Sequence, residues 1–141
     1  MTDARPRTHG HPGYSVTMRS ELETVAEARR LVRQSCDLWA FDEEAAETAA
    51  LLMSELVSNA VRHGRSHSIR VIVSCPAADR VKVAVVDKRR CLPEMHMPQP
   101  DAVGGRGLVL VDALSERWGT DLLPWGKRCW AEIRVKSEAA R

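Results

Sequence analysis

Residues 55–64 read Glu55-Leu56-Val57-Ser58-Asn59-Ala60-Val61-Arg62-His63-Gly64. Glu55 and Asn59 stand four residues apart, so on a helix their side chains share a face. The apolar positions Ala49, Leu52, Met53, Leu56 and Ala60 follow the three-and-four spacing of a buried stripe. That leaves the Glu55/Asn59 row at the margin of the buried face. A carboxylate and an amide in that place suit a hydrated Mg²⁺, which takes oxygen ligands and keeps several waters. Glu55 also suits the work of a general base. An exposed polar row on an amphipathic helix is the plainer alternative. The helix has legible ends: Asp42 stands at the N-cap position, Glu43 and Glu44 follow in the first turn, and Gly64 is a natural C′ residue.

Upstream, Val25, Ala28, Leu31, Val32, Cys36 and Trp39 predict another helix over Glu23 to about Ala40. Tyr14–Arg19 alternates and predicts a short strand. Residues 1–13 are polar and rich in His, Pro and Gly, and are expected to be a flexible tail. Downstream, Ser68–Ser74 and Arg80–Val86 alternate in β-branched residues and predict a hairpin through Pro76 to Asp79. Asp87 to Arg106 holds Pro93, Pro98, Pro100, Gly104 and Gly105 without periodicity, which predicts a long loop. A short helix is expected over Gly107–Leu114. A second hairpin, Arg117–Leu123 with Lys127–Val135, turns at Pro124-Trp125-Gly126. The order β-α-α-β-β-loop-α-β-β predicts an α/β (α+β) two-layer sandwich, with helices on one face of a mixed, mostly antiparallel sheet. The domain is expected over residues 14–136, with a short tail at 137–141.

A length of 141 residues suits one core. The net charge of +2 carries no footprint for direct nucleic-acid binding. No apolar stretch approaches the ~20 residues of a membrane span, and the first residues carry no apolar signal segment, so the cytoplasm is the expected compartment. Cys36, Cys75, Cys91 and Cys129 form no C-x-x-C pair, which argues against a disulfide or zinc framework.

Two further segments carry chemistry. Val83-Ala84-Val85-Val86-Asp87 is an apolar strand ending in a carboxylate, which can accept a hydrogen bond from an exocyclic amine or sit as a solvated turn residue. Gly104-Gly105-Arg106-Gly107-Leu108 leads into a helix. Glycines allow close approach to phosphate and a helix N-terminus attracts anions, although a glycine-rich cap has the same appearance. Arg106 adds a charge-assisted donor. Neither a Rossmann fingerprint nor a Walker lysine motif is present.

Taken in order, E-x-x-x-N on a helix, a strand ending in Asp, a Pro-rich loop and G-G-x-G-L resemble the N box and glycine boxes of the GHKL (Bergerat-fold) ATPases. The segments E-L-V-S-N-A-V-R-H-G, G-G-R-G-L-V-L-V-D-A-L and G-K-R-C-W-A-E-I resemble the short anti-sigma-factor serine/threonine kinases over about residues 14–135. The resemblance implies ATP and Mg²⁺ as cofactors. It makes Asn59 the Mg²⁺ ligand, Glu55 the catalytic base and Asp87 the acceptor of the adenine amine. It places Gly104, Gly105, Arg106, Gly107 and Leu108 on the phosphate side, residues 88–103 as a lid, and His63 beside Asn59. The implied partners are an anti-sigma-factor antagonist and a sigma factor, and homodimers are common among such proteins.

The chain departs from the pattern after Asp87, where Arg89 and Cys91 replace the usual glycines and Lys88-Arg89-Arg90 adds positive charge. A non-catalytic nucleotide- or partner-binding module of the same fold therefore stands as the alternative. A metal site using Cys91, His96 and His63 or His67 is a third reading, although its spacing matches no standard zinc motif.

Overall fold

The computed structural model describes residues 5–6, 11–63, 66–88 and 103–135, with side chains over 11–63, 66–88 and 109–135. The chain runs β1 (Arg5–Pro6), β2 (Gly13–Arg19), α1 (Thr24–Leu38), α2 (Glu43–His63), β3 (Ser68–Ala77) and β4 (Arg80–Asp87). It continues with α3 (Val103–Leu114), β5 (Arg117–Leu123) and β6 (Gly126–Arg134). The strands form one sheet in the order β1-β2-β3-β4-β6-β5, and every described pairing is antiparallel. The expected two-layer α+β architecture is present.

The strand period of two divides the side chains between the faces. Val16, Met18, Ile69, Val71, Val73, Val81, Val83, Val85, Ala131 and Ile133 point inward, where Ala28, Val32, Cys36, Ala49, Leu52, Met53, Leu56 and Val57 cover them. All of these helical residues except Val57 belong to the predicted stripes of α1 and α2, which pack on each other. Asp42 caps α2 as expected: its Oδ1 accepts a hydrogen bond from the Ala45 N–H at 2.8 Å. Burial pushes the Cys36 thiol up to about 11, with Cys75 adding to the shift. Cys36, Cys75 and Cys129 are free thiols.

The opposite face carries a smaller cluster, Ile72, Ala84 and Val86 with Leu123 and Trp130. The Lys82 ammonium lies 4.4 Å from the Trp130 ring centroid. Glu132, buried on the same face, takes Arg80 of β4 at 3.2 Å and Arg117 of β5 at 2.6 Å, which ties three strands together.

Three boundaries differ from the sequence expectation. β3 runs on to Ala77, with a register shift against β4 between Ser74 and Ala77. Pro76 has no N–H for the ladder, and an irregularity accommodates it. Arg5–Pro6, within the expected tail, pairs with Tyr14 and Ser15 of β2. α3 begins at Val103, so Gly104, Gly105 and Arg106 lie in its first turns instead of in a preceding loop. Glycine's cost in a helix is the entropy of fixing its backbone, which weighs most in the interior and less in the first turn. The rest of the expected loop, residues 89–102, and the expected C′ residue Gly64 lie outside the described residues.

α1 ends with Ala40 in the left-handed region at φ 59°, and the Phe41 N–H donates to the Cys36 carbonyl at 3.0 Å. Glycine usually holds this position because a Cβ is strained there. Ala40→Gly is expected to stabilise the fold by ~0.5–1 kcal/mol, the strain relieved less the added chain entropy. Urea denaturation measures this as a higher midpoint at unchanged slope, and a lower midpoint would show that Ala40 is not strained.

Candidate nucleotide site

α2 brings Leu56, Asn59, Ala60 and His63 to one wall of a small cavity, as their spacing of three and four requires. β4 supplies Val85 and Asp87 to the other wall, and β6 supplies Lys127 and Cys129. The free volume of this cavity is about 10 Å³, about one water. Three residues singled out in the sequence, Asn59, His63 and Asp87, therefore meet around one space. Asn59 is half-buried, His63 is exposed on the last turn of α2, and Asp87 is only 3% exposed. Glu55 lies on α2 just before this wall, half-buried and outside the cavity lining. α3, whose first half carries Gly104, Gly105, Arg106, Gly107 and Leu108, packs against α2, and the side chains of these five residues lie outside the described set.

The inward-facing partner of Asp87 across the β4–β6 ladder is Lys127, itself only 6% exposed. This residue was missed by the sequence reading, which took Lys127–Val135 as a plain strand. The available signal was its parity: in an inward row continuing through Cys129, Ala131 and Ile133, a lysine is out of place. Cys129, also missed, sits next along this row. Burial raises its thiol pKa first of all. Its contact with the Thr120 hydroxyl (3.7 Å between Oγ1 and Sγ) and the Lys127 charge work against that rise, and the Asp87 charge adds to it.

Gly126 makes this register possible. A Cβ built there would come 2.1 Å from the Asp87 carbonyl oxygen and 3.0 Å from the Lys88 Cα. The turn into β6 thus crosses directly against the backbone of Asp87, with no room for a side chain.

The oxygen groups present fit the implied cofactors. Asp87 offers a buried acceptor at a strand end, and Asn59 offers an amide oxygen of the kind that holds a largely hydrated Mg²⁺. Among the described residues no group of three or more His, Cys, Asp and Glu converges as a metal site. His63 and His67 are described, whereas Cys91 and His96 of the third reading are not.

The chain belongs to the histidine kinase-like ATPase domain family, whose model matches residues 18–122. Among solved structures it is similar to the RsbU and RsbW domains of Rv1364c from Mycobacterium tuberculosis, with TM-score 0.68 and 19% identity, over 88% of this chain and 32% of that one. It is also similar to the histidine kinase domain of the blue-light activated histidine kinase EL346 from Erythrobacter litoralis. There the TM-score is 0.52 and the identity 21%, over 79% of this chain and 60% of that one. At these identities the likeness is one of fold, and this chain spans about a third and three fifths of the two. A comparison with curated proteins finds no match.

Gly126→Ala is expected to force β6 away from Asp87 and to destabilise the fold by about 1–3 kcal/mol, the usual cost of overpacking. Urea denaturation checks this, and wild-type stability would contradict the close approach.

Proposed function

We propose that this chain is an ATP-binding regulatory domain that acts on a small protein partner, with the nucleotide held between α2 and the β4–β6 edge of the cavity. The observation that carries this reading is the meeting of Asn59, His63 and Asp87 around one space in a chain of the histidine kinase-like ATPase family. In this reading Asp87 accepts the adenine amine and Asn59 holds Mg²⁺. Arg106 and the glycines at the start of α3 form the phosphate side, where the helix N-terminus favours negative charge. ATP would supply a transferable phosphoryl group, with Mg²⁺ offsetting its charge. Glu55, half-buried four residues before Asn59, is the carboxylate assigned to take the proton of a serine or threonine hydroxyl.

The partner class is an anti-sigma-factor antagonist or a sigma factor, as the sequence resemblance implies. The RsbW-containing neighbour supports the fold behind that resemblance. Among the described residues no helix is long and apolar enough to cross a membrane. A second reading, sequestration of the partner without phosphate transfer, is favoured by one observation: after Asp87 the chain carries Arg89 and Cys91 where the family pattern has glycines.

Isothermal titration with ATP, with and without Mg²⁺, tests nucleotide binding. Asn59→Ala is expected to weaken binding about ten-fold or more in Mg²⁺ and little without it, and Asp87→Ala to weaken it in both conditions. Absence of binding by the wild type at millimolar Mg²⁺-ATP would contradict the nucleotide-binding reading and leave a partner-binding module of the same fold. Radiolabelled phosphate on a hydroxyl-bearing antagonist, lost in Glu55→Gln, separates the kinase from the sequestering module.

A further inference from the structure

Lys127 is the charged residue at the cavity for which the sequence resemblance provides no role. It faces inward, opposite Asp87 in the β4–β6 register. Side chains in such cross-strand pairs stand with their Cβ atoms ~4.5–5.5 Å apart. Both line the cavity that Asn59 and His63 share, and the Cys129 thiol feels their charges with opposite sign. Gly126 holds the lysine in this place by bringing the start of β6 against the Asp87 backbone. A lysine is almost never this deeply buried without a partner, and a buried ion pair is a poor source of stability compared with apolar packing.

We propose that Lys127 is a base-reading residue: with Asp87 it selects a base that offers a hydrogen-bond donor and an acceptor side by side. The inference rests on the nucleotide-binding reading and deepens it. Asp87, a carboxylate, accepts from the exocyclic amine of adenine. The ammonium beside it has three donors and no acceptor, and it donates to the ring nitrogen next to that amine. Guanine reverses the order along this edge, with a carbonyl oxygen in place of the amine and an N–H in place of the bare ring nitrogen. With the phosphates held toward Asn59, that base would set an oxygen against the carboxylate and an N–H against the ammonium.

The four-carbon stem of Lys127 adjusts at less cost than strand or helix backbone, so its ammonium can follow the edge of a base.

The test compares ATP, GTP, 1-deaza-ATP (carbon in place of the ring nitrogen) and purine riboside triphosphate (no amine) in Mg²⁺. Titrations use the full chain as wild type and as Lys127→Met, with urea denaturation confirming that the variant folds. Wild type is expected to bind 1-deaza-ATP roughly ten-fold or more weaker than ATP, as for loss of one charge-assisted hydrogen bond, and GTP weaker than ATP. Lys127→Met is expected to lose a similar factor for ATP and for purine riboside triphosphate, and nothing for 1-deaza-ATP. Equal wild-type affinity for ATP and 1-deaza-ATP would overturn the proposal even if Lys127→Met failed to fold. ATP binding that is unchanged or tighter in Lys127→Met would also overturn it and make the lysine a plug on Asp87, and tighter wild-type binding of GTP would reverse the assigned base edge. Loss of the same factor for ATP and 1-deaza-ATP would reduce Lys127 to a structural role. Wild type that binds none of the four nucleotides would remove the nucleotide-binding reading itself, and this proposal with it.

Discussion

The antiparallel register of β6 against β4 sets Lys127 across from Asp87, and the bare backbone of Gly126 is what lets the two strands meet in that register. Because side chains alternate along a strand, a slip of β6 by one residue would turn Lys127 and Cys129 away from Asp87 and take Ala131 and Ile133 out of the core. The same register that closes the core therefore composes the site. α2 adds the opposite wall through Asn59 and His63, which lie on the helix row beside its apolar stripe. Packing α2 on the sheet and building the cavity are thus one event, driven by burial of the β-branched inner face.

The two faces of the sheet handle charge differently. On the outer face Glu132 is matched by two arginines from neighbouring strands, and Arg128 holds Asp121 at 2.8 Å. That hydrogen bond lowers the Asp121 pKa, more than its slight burial raises it. Glu132 is itself buried, its partner Arg117 reaches solvent, and these pairs fasten β5 to β6 and β4. On the inner face Asp87 and Lys127 are among the most deeply buried charged groups described, beside an uncharged thiol. Low dielectric strengthens any hydrogen bond they make and penalises any they leave unmade. A charge pair of that kind is suited to discriminating between ligands, because a mismatched base edge leaves a buried polar group unsatisfied.

Much of this was legible in the sequence wherever local physics decides the outcome. The α1 and α2 stripes, the Asp42 cap, the alternation of β2 to β6 and the strand-end position of Asp87 follow from spacing alone. Helical periodicity also placed Asn59 and His63 on one row. The sequence was silent where long-range pairing decides. Nothing local indicates that β6 lies between β4 and β5, so Lys127 looked like an ordinary strand residue. Gly104 and Gly105 argued for a loop because glycine weakens helix interiors, an argument with less force in a first turn. Pro76 argued for a turn, and the strand instead carries it through an irregular register.

The central claim is that nucleotide binds where α2 meets the β4–β6 edge. Amide chemical-shift mapping of ¹⁵N-labelled protein during titration with Mg²⁺-ADP tests it directly. The account predicts saturable shifts concentrated at residues 56–63, 85–88 and 126–129, with Thr17, Glu27 and Glu132 little moved. Shifts centred on the Thr17–Glu27 end of the molecule, or none at saturating nucleotide, would contradict it.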